Sequence, residues 1–180
     1  MAANTGIPIL LMKPLHLIID GSDNLGKTTV LSLLSQRIGL PIIKMPNMKD
    51  YIEMDKAEVF SKLFNETVVQ FVQYPFLLDR GYTSSQVYSK LFGRKFDLGY
   101  LKDTEEALQP KIIIFTGRHR NGMTGEVTYK SFCKDKIFNE EEKSKIDEEF
   151  CNMAEERGYP LIEVNGRTPL SIVEMIQKMI

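Results

Sequence analysis

The chain has 180 residues, of which 43% are hydrophobic and 26% are charged, and its formal net charge at pH 7 is −1. This length without a compositional break predicts one domain, residues 1–180, with its own hydrophobic core. The near-neutral charge argues against a nucleic-acid partner, because such proteins usually carry a basic excess or a basic stripe. No apolar run reaches the ~20 residues that a membrane helix needs, and no signal peptide is recognisable. The sequence therefore predicts a cytoplasmic protein without a membrane segment.

The predicted elements alternate between short apolar runs and amphipathic helices. A first strand runs from Leu15 to Asp20 and leads through a glycine-rich turn into a helix over Lys27–Ile38. Further strands are predicted over 40–45, 75–78, 111–115 and 161–164, and further helices over 55–73, 84–92, 98–108, 139–157 and 170–180. Strands that alternate with helices predict an α/β fold with a parallel sheet between two layers of helices, an αβα sandwich.

The turn after the first strand matches G-x-x-x-x-G-K-[ST] at every fixed position. It reads Gly21-Ser22-Asp23-Asn24-Leu25-Gly26-Lys27-Thr28. In such a phosphate-binding loop (P-loop), glycines let backbone N–H groups approach phosphate oxygens, and the next helix directs its positive end at the same anion. Lys27 is expected to reach the β- and γ-phosphates of ATP, and Thr28 to offer its hydroxyl to Mg²⁺. The candidate nucleotide-binding segment runs from Gly21 to Thr29.

Asp79 and Arg80 follow the predicted strand 75–78, at the sheet edge where the P-loop also lies. Asp79 is a candidate for holding a water on Mg²⁺ at the substrate site, and Arg80 for neutralising the acceptor side of a phosphoryl transfer. A surface ion pair at the end of a strand is the alternative interpretation. A P-loop alone does not separate kinases from switches, motors or binding modules.

A basic, glycine-rich segment without a settled period, residues 117–136, follows the strand 111–115. Phosphoryl transfer spreads negative charge over phosphate oxygens, and cations stabilise that charge. Because the P-loop contains no arginine, Arg118 and Arg120 are candidates for supplying positive charge from a lid that closes over the phosphates. A solvated basic loop is the alternative.

These motifs resemble those of the thymidylate kinase family. Its P-loop, Glu-Gly-x-Asp-x-x-Gly-Lys-[Ser/Thr]-Thr, is similar to Asp20–Thr29, and its Asp-Arg-Tyr-x-x-Ser-x-x-Ala-Tyr is similar to Asp79–Tyr88. The helix, strand and terminal helix over 146–180 follow the same layout. The related deoxynucleoside kinases share it, with Glu-Arg-Ser in place of Asp-Arg-Tyr. The resemblance implies a P-loop kinase with a five-stranded parallel sheet, a mobile lid over about 117–136, ATP and Mg²⁺ as cofactors, and a homodimer.

The resemblance also implies roles for individual residues. Asp23 would touch a sugar hydroxyl of the acceptor, Arg80 would contact the acceptor phosphate, and Ser84 would belong to the substrate site. The family's base-binding helix carries Phe followed four residues later by an Arg that binds thymine. Here Phe64 is followed at that spacing by Val68. A base can still stack on Phe64, with core packing as the alternative, but the thymine contact is missing.

Two kinds of acceptor fit these residues. A nucleoside 5′-hydroxyl benefits from a base that takes its proton, and Asp20 stands where deoxynucleoside kinases carry a glutamate base. A monophosphate oxygen needs no base but needs cations, and Asp23 with the Asp79-Arg80 pair favours it. The sequence predicts ATP-dependent transfer to a deoxynucleoside monophosphate. The alternatives are a deoxynucleoside kinase, a kinase acting on modified bases or polynucleotide ends, and a non-kinase P-loop nucleotide-binding protein.

Overall fold

The computed structural model describes residues 13–45, 57–93, 99–120, 127–129 and 138–180. The strands are β1 His16–Gly21, β2 Ile42–Lys44, β3 Phe76–Asp79, β4 Lys111–Thr116, β5 Arg118–Arg120, β6 Val127–Tyr129 and β7 Leu161–Glu163. The helices are α1 Lys27–Ile38, α2 Ala57–Val69, α3 Tyr82–Phe92, α4 Gly99–Leu108, α5 Glu140–Arg157 and α6 Pro169–Gln177. Among these described helices, none is long and apolar enough to cross a bilayer.

Five strands form one parallel sheet in the order β2-β3-β1-β4-β7, as the alternation of strands and helices predicts. In its centre, Ile19 of β1 lies opposite Asp79 of β3 and Ile113 of β4. Because parallel strands need crossover connections, the intervening helices cover the faces of the sheet. The carboxyl ends of the strands meet at one edge, which is where open α/β sheets bind ligands.

The central strands bury side chains on both faces of the sheet. In β1, Leu17 and Ile19 pack into a core with α1 and α6, whereas Ile18 points the other way into a core with α2, α3, α4 and α5. Successive strand residues point to opposite faces, so a strand covered on both sides needs a continuous apolar run rather than an alternating one. The predicted three-layer αβα architecture is therefore confirmed.

A small antiparallel pair, β5 and β6, follows β4, with His119 opposite Thr128. It falls within the segment 117–136 that the sequence marks as a lid; residues 121–126 and 130–137 of that segment lie outside the described ones. Each strand has three residues. Three residues are too few to show a periodic pattern, so the sequence did not predict this pair.

Gly21 is expected to tolerate no side chain, because its φ is +131° and an added Cβ would lie 2.3 Å from the carbonyl oxygen of Phe115. Backbone strain of about 1–3 kcal/mol adds to overpacking of about 1–3 kcal/mol. We therefore expect Gly21→Ala to lower the free energy of unfolding by about 2–6 kcal/mol. Gly39→Ala is the control: its φ is +72° but nothing lies within 4 Å, so only about 1–2 kcal/mol is expected. Equal losses in urea unfolding would contradict the close approach to Phe115.

Candidate functional site

The loop between β1 and α1 is shaped by its own residues. Asn24 (φ 61°) and Gly26 (φ 73°) adopt the left-handed backbone conformation, which glycine adopts freely and asparagine tolerates. Between them, the side chain of Leu25 is buried in the core that α1 and α6 share. The loop is thus anchored by one apolar side chain and curved by its two neighbours.

The amino end of α1 has no side-chain cap. Helices α5 and α6 begin with side-chain caps, from Asn139 and Thr168, whereas α1 begins at Gly26 with no such cap and no acidic residue in its first turn. The first N–H groups of a helix need acceptors from outside the helix. Thr28 and Thr29 are exposed at this end. The arrangement suits an anion, which would accept these N–H groups and meet the positive end of the helix dipole.

Lys27 folds back across the loop and is only 4% exposed. Its Nζ donates to two backbone carbonyl oxygens of the loop, one of them at 2.9 Å. Burial lowers the pKa of Lys27 below its ordinary value, and the negative charges of Asp20, Asp79 and Asp147 oppose that shift. The loop therefore holds a cation in a dry position next to the uncapped end of α1, where phosphate oxygens would compensate it further.

Thr28 and Asp79 meet at the carboxyl edge of the sheet. Thr28 Oγ1 donates to Asp79 Oδ2 at 2.6 Å, and Asp79 is buried. Both are hard oxygen ligands, which Mg²⁺ prefers, and Mg²⁺ is usually held by one or two carboxylates together with substrate phosphates. In the described part of the chain, no group of three or more His, Cys, Asp or Glu residues could hold a metal. Two oxygen groups of this kind fit Mg²⁺ that is bound together with nucleotide phosphates.

Arg80 is held by β1 through its backbone and by the P-loop through its side chain. Its φ of 68° is rare for a residue with a side chain, and its N–H donates to the carbonyl of Ile19 at 3.1 Å. Its guanidinium forms an ion pair with the carboxylate of Asp23, and both side chains stay partly exposed. Strained conformations of this kind cluster at functional sites. The fold brings together Asp23 and Arg80, two of the residues that the sequence analysis assigns to the acceptor.

Asp20 has partners that the sequence did not reveal. Its Oδ1 accepts from the N–H of Gly21 (2.9 Å) and the hydroxyl of Ser84 (2.7 Å), and its Oδ2 accepts from the N–H groups of Gly81 (3.2 Å) and Ser84 (2.9 Å) and the hydroxyl of Thr83. A carboxylate offers about four lone-pair positions. Asp20 therefore caps the start of α3, and its bonds leave no position for a substrate proton. Ser84, predicted at the substrate site, is one of its donors.

Phe64 lies on α2, half-buried, and packs against the core between the sheet and helices α2–α5. Val68, at the position of the family's thymine-binding arginine, is buried in that core. The stacking role predicted for Phe64 stays a prediction. Val68 serves packing, which agrees with the missing thymine contact.

A buried polar cluster between α2, α3 and α4 was not predicted. Ser61 Oγ lies 2.8 Å from Ser85 Oγ and accepts from the hydroxyl of Tyr100 at 3.0 Å, and Asn65 Nδ2 donates to the Ser61 carbonyl at 2.7 Å. Asn65 Oδ1 is buried and has no donor among the described residues. The polar spacing of Ser61 and Asn65 on an apolar helix face was the available signal. Through Ser85, which follows Ser84, the cluster borders the acceptor side of the site.

Arg118 lies against α5. Its Nη2 is 3.1 Å from Glu148 Oε2 and donates to the Ser144 carbonyl at 3.3 Å, and its Nε is 3.7 Å from Asp147 Oδ2. The backbone of Arg120 belongs to β5, and its side chain is outside the described residues. A charge-stabilising role for Arg118 and Arg120 remains a prediction. In the structure, the side chain of Arg118 is held by contacts with α5.

Asp147 in the middle of α5 is a site residue that sequence reasoning missed. It is fully buried, and it accepts from Ser22 Oγ (3.1 Å), Gly117 N (3.1 Å) and Thr116 Oγ1 (2.7 Å). Burial raises the pKa of Asp147, and these hydrogen bonds and the charge of Arg118 oppose the rise. The available signal was an acidic residue on the apolar stripe of an otherwise amphipathic helix.

Comparisons with known proteins agree with this architecture. No family model matches the chain, and neither does any curated protein. Among solved structures, the YorR protein of Bacillus subtilis in complex with phosphorylated GDP has 18% sequence identity, a TM-score of 0.64, and coverage of 91% of this chain and 94% of its own. Thymidylate kinase from Candida albicans has 15% identity, a TM-score of 0.59, and coverage of 93% and 91%. Deoxyadenosine kinase from M. mycoides with dCMP and dCDP has 14% identity, a TM-score of 0.62, and coverage of 92% and 98%.

These identities are low, so the likeness concerns the fold. The alignments with the two named kinases cover more than nine tenths of this chain and of each kinase. The chain therefore has the fold of P-loop kinases, as the resemblance implies.

Proposed function

We propose that this chain is a cytoplasmic, ATP-dependent kinase that transfers the γ-phosphoryl group to a deoxynucleoside monophosphate. The assembly of Lys27, Thr28 and Asp79 at the uncapped end of α1 supports nucleotide binding. One observation carries the choice of acceptor. The Asp20 carboxylate, which a hydroxyl acceptor would need as a base, is occupied by five hydrogen bonds. An acceptor that is already anionic does not need that base.

In the proposed reaction, the bond from the γ-phosphorus to the β–γ bridging oxygen breaks, a bond to an acceptor phosphate oxygen forms, and ADP leaves. Bound Mg²⁺ would neutralise charge on the β- and γ-phosphate oxygens, and Thr28 and Asp79 would hold it. Lys27 stabilises the charge that develops on the transferred group. Arg80 binds the acceptor phosphate, so that two anions can approach each other in line.

The nucleobase of the acceptor would lie along α2. Phe64 supplies an aromatic face on which any base can stack, because every base has a π-face. Asn65, the next residue, has a buried amide oxygen without a donor among the described residues. Leaving such an acceptor unpaired costs free energy, so we expect a water or a donor of the substrate to complete it. This pair is consistent with a nucleotide acceptor.

An ADP-release assay with ATP, Mg²⁺ and a panel of acceptors tests the proposal. The panel contains the deoxynucleoside monophosphates of all four bases, the matching nucleosides, and a blank without acceptor. We expect turnover with one or more monophosphates and none with the nucleosides. Turnover with nucleosides alone would make the protein a deoxynucleoside kinase, with a base other than the occupied Asp20. ADP release that does not depend on an acceptor would assign it to the non-kinase P-loop proteins.

Thr28→Ala is expected to raise the Mg²⁺ concentration for half-maximal activity by about tenfold, the size usual for losing one group at a metal site. The reason is that the hydroxyl, 2.6 Å from Asp79, is one of the two oxygen groups placed for the ion. The measurement is a Mg²⁺ titration at saturating ATP. The control, Thr67→Ala, removes an exposed hydroxyl that donates to its own helix and should leave the titration unchanged. An unchanged midpoint for Thr28→Ala would mean that the ion binds elsewhere.

A further inference from the structure

We propose that Asp147 is a positioning residue of the phosphoryl-transfer site: its carboxylate connects the P-loop to the end of β4 and keeps Arg118 close to this connection. This inference rests on the proposed function and adds to it a residue from outside both motifs. Asp147 lies in the middle of α5 and is fully buried. Its value to the site therefore comes from what its two oxygens connect.

The carboxylate joins two segments that are distant in sequence. Oδ1 accepts from Ser22 Oγ of the P-loop and from the N–H of Gly117, both at 3.1 Å, and Oδ2 accepts from Thr116 Oγ1 at 2.7 Å. Hydrogen bonds to a charged group are about twice as strong as neutral ones. A shift of β4's end relative to the P-loop would break at least one of them, so Asp147 adds to the β1–β4 pairing in holding the two segments together.

Arg118 depends on this carboxylate in two ways. Its Nε lies 3.7 Å from Asp147 Oδ2, and its backbone N–H donates at 3.1 Å to Thr116 Oγ1, the same hydroxyl that donates to Asp147. The backbone of Arg118 is thus placed through Thr116 and Asp147. Its side chain is attracted by the Asp147 charge, although Nε makes no hydrogen bond among the described residues. Its other carboxylate partner, Glu148, lies 3.1 Å from Nη2 and is more than half exposed, and an exposed pair of this kind contributes little.

The negative charge of Asp147 affects the nearby cations in addition to the hydrogen bonds that the carboxylate accepts. Burial lowers the pKa of Lys27, and the Asp147 carboxylate is one of the three charges that oppose this shift. The same anion therefore faces the P-loop cation on one side and Arg118 on the other. When phosphates bind to the P-loop, these two cations are already in position, so no free energy is needed to assemble them at the moment of transfer.

The test compares Asp147→Asn with Glu148→Gln, since each variant removes one carboxylate that faces Arg118. Asparagine would keep the shape of the Asp147 side chain but lose the charge and one acceptor, so we expect kcat to fall about 10- to 100-fold, as for small displacements of reacting groups. The KM for the acceptor should change less than threefold. Glu148→Gln should stay within twofold of the wild type. Equal activity of the two variants would overturn the proposal.

A double-mutant cycle separates positioning from simple stabilisation. If Asp147 acts through Arg118, Asp147→Asn should cost less than threefold in an Arg118→Ala background, because effects within one unit are not additive. The same full loss in both backgrounds would overturn the proposal. So would a lower Tm with unchanged kcat well below that Tm. Should Asp147→Asn fail to fold, Thr116→Val removes the connecting hydroxyl, leaves the carboxylate in place, and is expected to show the same coupling.

Calorimetric titration with Mg·ATP keeps this inference distinct from the proposed function, because it needs no acceptor. Asp147→Asn should weaken ATP binding about tenfold in the wild-type background and less than threefold beside Arg118→Ala. If the acceptor panel fails but this coupling is present, the proposed substrate is wrong and the role of Asp147 stands. If the panel succeeds and the coupling is absent from both kcat and the ATP Kd, the role of Asp147 is refuted.

Discussion

Replacing Lys27 with methionine is expected to lower kcat about 10²- to 10³-fold, the usual loss when one group that stabilises the transition state is removed. Lys27 is a buried ammonium at the uncapped end of α1. The charge of the transferred phosphoryl group would develop close to it. Methionine fills a similar volume with a flexible apolar chain, so the variant tests the charge more than the packing. Steady-state kinetics with the best acceptor of the panel gives kcat.

The same substitution should change stability little. Burial lowers the pKa of Lys27, and the charges of Asp20, Asp79 and Asp147 oppose that shift, so methionine relieves the desolvation of the ammonium while it removes a favourable cation from these carboxylates. We expect a Tm within a few degrees of the wild type and an unchanged far-UV circular dichroism spectrum. Lys102→Met is the matched control, since Lys102 is exposed on α4 and pairs with Glu106; its kcat should stay within twofold. Activity of Lys27→Met within tenfold of the wild type would refute the P-loop assignment.

Two substitutions of Arg80 are expected to share a loss of activity and to differ in stability. Both Arg80→Ala and Arg80→Gly remove the guanidinium that pairs with Asp23, so kcat/KM for the acceptor should fall about 10- to 100-fold, the range for losing a hydrogen-bonded charge. Alanine would keep the strained φ of 68°, which costs about 1–2 kcal/mol, whereas glycine would adopt it freely. Glycine in turn lowers the free energy of unfolding by about 0.5–1 kcal/mol, because it loses more backbone entropy on folding than alanine does.

The net expectation is that Arg80→Gly is more stable than Arg80→Ala by about 0.5–1 kcal/mol, a Tm difference of roughly 1–4 °C. Thermal unfolding and acceptor kinetics of the two variants are the measurements. Arg157→Ala, which removes an arginine paired with Glu105 away from the P-loop, controls for the loss of an ion pair and should leave the kinetics unchanged. Unchanged acceptor kinetics in both Arg80 variants would make Arg80 a structural partner of Asp23 only.

The parts of the site that follow from neighbouring residues were predictable from the sequence. The spacing of Gly21, Gly26, Lys27 and Thr28 defines the P-loop without reference to any other segment. Asp79 could be assigned to the same edge because strand and helix alternation predicts a parallel sheet, and the carboxyl ends of parallel strands lie together. The contact of Thr28 with Asp79, at 2.6 Å, follows from that rule.

The partners of Asp20 were not predictable in the same way. The sequence placed it at the end of a strand, which suits a base as well as a structural acceptor. In the structure, α3 begins next to the Asp20 carboxylate, and Gly81, Thr83 and Ser84 all donate hydrogen bonds to this carboxylate. Whether Asp20 is a free base or a structural acceptor depends on the direction in which α3 leaves the sheet, and no local sequence pattern encodes that direction.

The sequence by itself determined that five strands of a parallel sheet alternate with helices along the chain, that helices cover both faces of this sheet, and where the phosphate loop lies, because each depends on hydrophobic spacing or on a few adjacent residues. Only the tertiary structure decided which partners Asp147 and Arg118 have. These partners come from other elements: Asp147 of α5 accepts a hydrogen bond from Ser22 of the P-loop, and Arg118 pairs with Glu148 of α5. Such contacts are set by how packed helices cross the sheet, and a buried polar side chain takes its function from whatever that packing places beside it.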